Sequence, residues 1–390
     1  MKSPERLPGG LPAREFFRDH WQKKPLLIRN AFPDFRSPIS PEELAGIALE
    51  EEAHARLIME RGGDYPWQVR YGPFEEDDFL GLPDSHWTLL VQEVDRWVPK
   101  LAGLLERFLF VPSWRLDDVM VSYAPDGGNV GAHIDNYDVF LIQALGRREW
   151  RIGADPIADE RLVPDVDVSM LADFEADEVM TLEEGDMLYL PPRIAHHGIA
   201  IGDCMTLSVG FRAPSYADIL TQTLTRAIER MDSGERYADP DLSPPEHPGR
   251  IGEDALRKAR RIVRHVLSDE HIDRSFGALV TESTRGDDPV PPPIEWTPEG
   301  VAEALREGGR LQRFAPNRFG FIPHADGSTS LFAHGQVFWL EAGDADVASL
   351  LAGRDVLDAE AFADALDDAA VRSLLARLVN DGHVELLEEE

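Results

Sequence analysis

Two histidines and one aspartate in this chain have the types and the spacing of a metal-binding group. His133 and Asp135 are two residues apart, and His196 follows about 60 residues later, behind Pro191 and Pro192. Residues i and i+2 of a β-strand point to the same face of the sheet. If His133 and Asp135 lie on a strand, both can bind one ion from one side. His196 from a second strand then completes a set of two histidines and one carboxylate.

Such a set leaves three coordination positions of the metal open, as non-haem Fe(II) oxygenases require for a cosubstrate and O2. A structural zinc site would close all four positions, usually with cysteine ligands. The chain has one cysteine, Cys204, so neither an intrachain disulfide nor a cysteine-based metal site can form within it. We therefore interpret the set as a candidate Fe(II) centre.

The same tripeptide occurs a second time, as His271-Ile-Asp273, and serves as an internal control. This copy lies where apolar residues recur at helical spacing, and positions i and i+2 of a helix do not face each other. We expect His271 and Asp273 to be surface residues. His-x-Asp alone is therefore a weak signal, and the strand context together with His196 makes the first copy specific.

Short strands must position the candidate ligands. Alternating or continuous apolar residues predict strands over residues 118–123, 137–145, 149–152, 187–190 and 205–211. The second of these is expected to end at Gly146. Many short strands broken by glycine and proline are typical of a β-sandwich or barrel rather than of a βαβ fold.

Three regions follow one another along the chain, and we predict domains over residues 1–213, 214–290 and 291–390. The middle region has helical periodicity, beginning where Ser215 and Asp218 can cap a helix. Its amphipathic helices cannot form a core alone, so they must pack on the first region or on a second copy of the chain. We favour a homodimer.

The third region has an order of helices and strands that resembles a winged helix. Winged helices often bind DNA through a basic helix, but this chain has no lysine after Lys258. A protein-contact or structural role is the better interpretation of this region.

Acidic residues strongly outnumber basic ones, 72 against 39, and the net charge is −33. Such a surface repels phosphate backbones, which argues against direct nucleic-acid binding. It attracts a basic partner, although solvation or adaptation to a salty cytosol would explain the charge equally well. No apolar run approaches the roughly 20 residues of a membrane span, and the N-terminus lacks the apolar segment of a signal peptide. We expect a cytoplasmic protein without membrane contact.

Motifs spread along the chain carry a family resemblance. They are His133-Ile-Asp-Asn-Tyr-Asp-Val-Phe140, Gly146-Arg-Arg-Glu-Trp-Arg151, Leu190-Pro-Pro192 with His196, and Ser208-Val-Gly-Phe-Arg-Ala-Pro214. His20-Trp-Gln-Lys-Lys-Pro25 and Ile39-Ser-Pro-Glu-Glu-Leu44 extend the set towards the N-terminus. Together these motifs resemble the bacterial Jumonji C ribosomal oxygenases. The resemblance covers most of the chain and is looser after residue 290.

The resemblance implies a mainly β fold, the double-stranded β-helix of cupin and JmjC proteins, with an appended helical dimerisation region and a C-terminal winged-helix-like α/β domain. It implies hydroxylation that depends on Fe(II), 2-oxoglutarate and O2. The implied substrate is an arginine of the basic large-subunit ribosomal protein sixteen, whereas eukaryotic relatives hydroxylate histidines of other ribosomal proteins. The implied assembly is a homodimer.

One departure from the family pattern concerns the second histidine ligand. Close family members have His-Glu-Gly where this chain has His196-His197-Gly198. The Pro-Pro-x-x-x-His spacing assigns the ligand to His196. His197 is then expected to point to the opposite face of its strand.

The far carboxylate of 2-oxoglutarate needs a buried cation. Arg148 matches the cosubstrate arginine of the family, and arginine can bind a carboxylate through two parallel hydrogen bonds. Ser122 is expected to help by donating its hydroxyl. The alternative is that Arg148 is a solvated turn residue beside Arg147.

Strand periodicity extends the site to a substrate pocket. Asp118, Met120 and Ser122 share one face, Tyr137 shares the face of the first two ligands, and Ser208 shares a face with Thr206. An arginine substrate needs a carboxylate for its guanidinium, an aromatic ring or thioether along its stem, and a hydroxyl acceptor. The expected set is Asp118, Met120, Tyr137 and Ser208. The alternative is that Met120 and Tyr137 belong to the core.

Other functions stay open at this point. A histidyl or lysyl hydroxylase of the same family would not need the Asp118 carboxylate. A metal-binding cupin without turnover would need neither Arg148 nor an opening large enough for a protein. A demethylase of the histone type has little support, because no chromatin-reading module is evident.

Overall fold

The computed structural model of the chain describes residues 4–60, 67–164, 166–232, 234–283, 288–314 and 318–387. The chain divides into two units, Lys2–Ala213 and Pro214–Glu390. The division into three domains stays a prediction.

The first unit consists mainly of strands with short helices around them. The helices are α1 (Ala13–Asp19), α2 (Pro41–Ile47), α3 (Glu76–Leu80) and α4 (Pro99–Leu105). The strands are β1 (Leu26–Ile28), β2 (Ala55–Glu60), β3 (Trp67–Tyr71), β4 (Trp87–Val91), β5 (Leu116–Ala124), β6 (Val139–Pro156), β7 (Glu178–Leu182), β8 (Met187–Leu190) and β9 (Ile194–Phe211). These strands form one sheet of order β1-β8-β6-β9-β5-β4-β2-β3, and β7 pairs with β6.

The two long strands β6 and β9 connect the parts of this sheet. Each has 18 residues, and they pair antiparallel along most of their length. Residues 139–143 pair with 206–210, and residues 147–152 pair with 196–201, with register shifts in between. Register shifts bend strands and increase their twist. The early half of β6 also pairs with β8 and the late half with β7, so each half serves a different part of the sheet.

The central strands separate the hydrophobic core from a cavity. The side chains that alternate into the core of the first unit include Val119, Val121, Phe140, Ile142, Leu207 and Val209. Since neighbours on a strand point to opposite faces, the residues between them lie on the other face. There Met120, Ser122, Thr206 and Ser208 line a cavity. The alternation predicted for these strands is therefore confirmed.

The strand that we predicted to end at Gly146 continues through it, so the expectation of two separate strands is wrong. Gly146 has a φ of +61°, and a Cβ atom there would lie 2.1 Å from the carbonyl oxygen of Asp203 on β9. Glycine adopts this conformation without strain, and only glycine tolerates this close approach because it has no Cβ atom. It marks a point where the register shifts, because the ladder is irregular between Leu145 and Arg147.

The second unit contains helices and two three-stranded sheets. The helices are α5 (Tyr216–Glu229), α6 (Glu253–Val266), α7 (Asp269–Thr281), α8 (Pro298–Arg306), α9 (Ala345–Gly353), α10 (Ala359–Phe362) and α11 (Ala369–Asn380). The strands are β10 (Arg310–Arg313), β11 (Phe319–Pro323), β12 (Thr329–Ala333), β13 (Gln336–Leu340), β14 (Val356–Leu357) and β15 (Val384–Leu387). The sheet orders are β14-β10-β15 and β11-β12-β13.

A local signal predicted the first of these helices. Helix α5 begins after Ser215, whose Oγ accepts from the Asp218 amide, while the Asp218 carboxylate accepts from the Ser215 amide. This capping box confirms the predicted start. Strand β12 was not predicted because all five of its residues are buried, so it lacks polar alternation.

Helix α5 leaves much of its apolar face exposed within one chain, including Leu220, Leu224 and Ile228. Within the described ranges, no helix combines the length and the apolar character needed to cross a membrane.

The bulge at Gly146 can be tested against a nearby glycine. We expect Gly146→Ala to lower the free energy of unfolding by roughly 2–5 kcal/mol, because left-handed backbone strain costs about 1–2 kcal/mol and overpacking about 1–3 kcal/mol. Gly202 also has a positive φ, +68°, but open space lies where its Cβ would be. Gly202→Ala should therefore cost only the strain, about 1–2 kcal/mol. Urea unfolding measures both, and equal losses would contradict the close approach to Asp203.

Candidate active site

The three predicted metal ligands lie together in the structure. One ligand atom each from His133, Asp135 and His196 falls within 4.8 Å of the others. The Nε2 atom of His196 lies 3.5 Å from an oxygen of Asp135, and the two imidazole rings are 4.2 Å apart between centroids. Donors at this mutual spacing fit a single divalent ion held from one side.

The backbone that holds these ligands is less regular than predicted. His133 and His196 form an isolated antiparallel bridge, with N–H···O distances of 3.0 and 2.9 Å. Asp135, which we expected on the same strand, lies outside any strand. Its carbonyl oxygen accepts from the Arg193 amide at 2.7 Å. The shared face of His133 and Asp135 therefore comes from an extended loop fastened to the start of β9.

Hydrogen bonds orient both imidazole rings. The Nδ1 atom of His133 lies 3.0 Å from the carbonyl oxygen of Gly131, and Nδ1 of His196 lies 2.9 Å from that of Ile194. Because a carbonyl only accepts, each Nδ1 carries the hydrogen and each Nε2 offers its lone pair to a metal. Burial, reinforced by the neighbouring His133, lowers the pKa of His196 to about 4. His196 is thus a neutral ligand at physiological pH.

His197 points away from this group. Its Nε2 lies 3.1 Å from Oδ1 of Asn129, and the same oxygen accepts from the Gly131 amide. The second His-x-Asp copy lies on α7, where His271 Nδ1 contacts the Ser268 hydroxyl at 2.7 Å. Neither histidine belongs to the ligand group.

A cavity of about 370 Å³ opens beside the three ligands. Every side chain predicted for the cosubstrate or the substrate lines this cavity, namely Asp118, Met120, Ser122, Tyr137, Arg148 and Ser208. Cross-strand pairing explains their proximity, because Met120 pairs with Ser208 and Ser122 with Thr206.

Arg148 is a buried cation with few partners. Its side chain lies on the late half of β6 with 3% of the residue exposed. Its Nη2 lies 3.3 Å from the Cys204 sulfur, its guanidinium lies over the Trp150 ring at 5.8 Å, and its Nε has no hydrogen-bond partner. Among the described residues no carboxylate forms an ion pair with Arg148. This excludes the solvated turn residue and fits an anionic ligand, because a buried charge needs a counter-charge.

Asp118 is held from two sides. It is 8% exposed, and its Oδ2 accepts from the Glu93 amide at 3.0 Å. The Gln92 amide, oriented so that both its ends are satisfied, donates to Asp118 at 3.1 Å and accepts from Arg56 at 3.2 Å. The carboxylate is therefore fixed in one orientation at the cavity wall.

Tyr137 and Met120 differ in their surroundings. Tyr137 is 42% exposed and hence is no core residue. The charge of Asp135 raises the pKa of Tyr137, and partial burial and the charge of Asp118 add to this. Met120 is half-buried and packs beside Ile58 and Leu90. The alternative that both are core residues therefore holds at most for Met120.

Sequence reasoning missed part of the cavity wall. Arg56 and Gln92 lie on or directly after strands β2 and β4, and Thr88, Leu90 and Gln92 recur at spacing two. Leu90 pairs with Arg56 on one side and with Ser122 on the other. The period-two spacing was the signal that could have found them. Residues 167–169 also line the cavity, from a loop between β6 and β7 without periodicity.

Comparison with known proteins agrees with this geometry. Residues 103–219 match the JmjC domain family, and residues 260–385 match the ROXA-like winged helix. The ribosomal protein uL16 3-hydroxylase of Escherichia coli (strain K12) is 37% identical over 370 residues, which cover 95% of this chain and 96% of that protein. The chain belongs to the JmjC ribosomal oxygenase family. The resemblance inferred from the motifs is thus confirmed.

Further relatives of this ribosomal oxygenase chain support the assignment. A probable ribosomal oxygenase of Haemophilus influenzae is 39% identical over 271 residues, covering 68% of this chain and 63% of that protein. A solved structure of YcfD, a ribosomal oxygenase from Escherichia coli in complex with cobalt and 2-oxoglutarate, superposes with a TM-score of 0.81. It is 36% identical, and the match covers 96% of this chain and 97% of that one. The expected JmjC fold with a helical region and a winged-helix domain is confirmed.

The choice of His196 over His197 can be tested by metal binding alone. We expect His196→Ala to weaken Co²⁺ binding by more than roughly 100-fold, because loss even of an outer partner costs 10–100-fold. His197→Ala and His271→Ala should each change the affinity much less. Calorimetric titration of the metal-free protein gives these values, and thermal unfolding verifies the fold of each variant. Loss of Co²⁺ binding in His197→Ala but not in His196→Ala would reverse the assignment.

Proposed function

We propose that this chain is an Fe(II)- and 2-oxoglutarate-dependent oxygenase that hydroxylates an arginine side chain of ribosomal protein uL16. The observation that carries the proposal is one cavity with three chemically distinct parts. It combines the His133, Asp135 and His196 ligands, the buried cation Arg148 and the fixed carboxylate of Asp118. The name of the Escherichia coli relative, a uL16 3-hydroxylase, supplies the substrate protein.

The donor set fits iron. Two imidazoles and one carboxylate on one side leave open positions for a cosubstrate and O2, as in Fe(II) oxygenases. The free Cys204 is fully buried and lies beside Arg148 rather than in the ligand group. When bound, iron with 2-oxoglutarate and O2 supplies the oxidation that converts a C–H group to C–OH, with release of succinate and CO2. The protein binds and orients the reactants.

Arg148 and Ser122 would bind 2-oxoglutarate. A guanidinium fits a carboxylate through two hydrogen bonds, and such charge-assisted bonds are stronger than neutral ones. The Ser122 hydroxyl is buried at the cavity wall, and its nearest acceptor is the Thr206 carbonyl at 3.5 Å, the limit of a hydrogen bond. It is therefore available to donate to the cosubstrate.

Asp118, Met120, Tyr137 and Ser208 would bind the substrate arginine. The carboxylate of Asp118 provides the counter-charge for the guanidinium. The Tyr137 ring and the Met120 thioether can contact the aliphatic stem, and Ser208 offers a hydroxyl.

The proposed partners follow from charge and from the exposed face of α5. The net charge of −33 favours capture of a basic ribosomal protein and disfavours direct contact with nucleic acid. A second copy of the chain would cover the exposed Leu220, Leu224 and Ile228, giving a homodimer. The cytoplasm, where ribosomal proteins are made, is the proposed location.

Tandem mass spectrometry of the protein substrate tests this function. Incubation of uL16 with the enzyme, Fe(II), 2-oxoglutarate and O2 should add one oxygen atom to an arginine. Asp118→Asn should raise the KM for an arginine peptide roughly 10- to 100-fold, because a charge-assisted hydrogen bond contributes about 1.5–3 kcal/mol. The KM for 2-oxoglutarate should stay near its wild-type value.

The matched control is the neighbouring Asp117→Asn. Asp117 accepts from Arg212 at 3.2 Å and does not line the cavity, so the variant removes one charge from the same strand without touching the pocket. Addition of oxygen to a histidine or a lysine would contradict arginine specificity. Equal KM values of the two variants for the arginine peptide would contradict the role of Asp118 in substrate binding. Absence of succinate formation across basic substrates would favour a metal-binding cupin without turnover.

A further inference from the structure

Arg193 uses nearly all of its hydrogen-bonding groups next to the metal ligands. It lies three residues before His196, with a φ of +67°, which is unusual for a residue other than glycine. Its amide donates to the Asp135 carbonyl at 2.7 Å, and its carbonyl accepts from the Ile157 amide at 2.9 Å. Strained backbone of this kind persists only where the surroundings determine it.

The guanidinium of Arg193 joins the ligand loop to the end of β6. Its Nη1 donates to Asn136 Oδ1 at 3.0 Å, its Nε to the Ile157 carbonyl at 2.7 Å and its Nη2 to the Ala158 carbonyl at 3.0 Å. Glu160 completes the set as an ion pair at 3.1 Å. One side chain thus connects the residue after a metal ligand with the loop that follows β6.

That loop, described over residues 157–164 and 166–177, contributes to the cavity wall. Residues 167–169 line the cavity, and Met170 packs in a cluster with Ile58 and Leu90. The amide of Leu171 donates to the Ala132 carbonyl at 2.7 Å, directly before His133. The loop is therefore fastened to the ligand segment at two points, Leu171 near His133 and Arg193 near Asp135.

Asp135 depends on this arrangement more than the histidines do. His133 and His196 bond to each other through their backbones, whereas Asp135 lies outside any strand. Its backbone is held by the Arg193 amide, and the next residue is held by the Arg193 side chain. Partners one shell beyond the ligands set ligand orientation and metal affinity.

We propose that Arg193 is a positioning residue that fixes Asp135 for metal binding and couples the ligand loop to the loop whose residues 167–169 line the cavity. The proposal deepens the function proposed above and rests on it. Arg193 is neither one of the three ligand residues nor part of the cavity lining. It acts by limiting the positions that the Asp135 carboxylate can take.

Three variants test this role. Arg193→Gly removes the side chain and keeps the amide, and glycine relieves the left-handed strain, so the fold should be retained. Arg193→Lys keeps the charge but loses the planar fork of donors. Arg161→Ala is the matched control, since Arg161 lies in the same loop and its side chain, among the described residues, forms only an exposed ion pair with Asp173 at 2.8 Å.

The first measurement is the affinity of the metal-free full chain for Co²⁺. The second is the amount of 2-oxoglutarate consumed per hydroxylated product formed, called the consumption ratio below. We expect Arg193→Gly to weaken Co²⁺ binding about 10-fold, in the range of outer-shell changes, and to raise the consumption ratio. Arg193→Lys should be intermediate, and Arg161→Ala should match the wild type. Thermal unfolding near the wild-type midpoint separates positioning from a general loss of stability.

Wild-type Co²⁺ affinity and consumption ratio in Arg193→Gly would overturn the proposal and leave the proposed function intact. Equal losses of Co²⁺ affinity in Arg193→Gly and Arg161→Ala would also overturn it. A general disturbance of the loop, and not the loss of the Arg193 hydrogen bonds, would then be responsible. Failure of the wild-type protein itself to bind Co²⁺ would overturn the metal centre and this proposal together.

Discussion

The buried charge of Arg148 is the constraint around which the site is arranged. A guanidinium removed from water without a carboxylate partner costs several kcal/mol. Among the residues that the structure describes, the Cys204 thiol and the face of Trp150 are the contacts that compensate it. The structure therefore contains a cation whose counter-charge is expected from a ligand, within the cavity that holds the three metal donors. This unmet charge distinguishes an oxygenase site from a bare metal-binding cupin.

The two long strands place that charge next to the metal donors. Strand β6 provides Arg148, and strand β9 provides both His196 and Cys204. The ladder is irregular around Gly146, between the part of β6 that pairs with Thr206 and Ser208 and the part that carries Arg148. The remaining ligands come from a loop before β6 that lacks a ladder of its own. Backbone hydrogen bonds from His196 on β9 hold His133 in place. The same strand therefore carries one ligand and fixes the backbone of another.

The alternation of side chains along strands made part of this site predictable from the sequence. The parts that lie in bulges, turns and loops were not predictable in this way. Met120 and Ser208 lie on regularly paired strands, where alternation assigns each side chain to a face, and both line the cavity as expected. Asp118 also lines the cavity, although the β5 ladder is irregular between Leu116 and Val119. The bulge at Gly146 was taken for a strand end, because glycine carries the same signal in both cases. Arg193 and the cavity wall at 167–169 lie in turns and loops, whose long-range hydrogen bonds leave no local pattern. The motif resemblance identified Arg148 as the arginine that binds the cosubstrate. Its position beside Arg147 does not by itself distinguish it from a solvated turn residue.

The affinity of the cobalt-loaded protein for 2-oxoglutarate tests the central claim most directly. Arg148→Met replaces the buried cation with an apolar side chain that the fold tolerates, since such replacements are often neutral or stabilising. Arg147→Met changes the exposed neighbour and is the control. We predict that Arg148→Met weakens 2-oxoglutarate binding by about 100-fold, as expected for loss of a bidentate charge-assisted pair of roughly 3 kcal/mol, and that Arg147→Met binds like the wild type. Unchanged affinity in Arg148→Met would contradict the account.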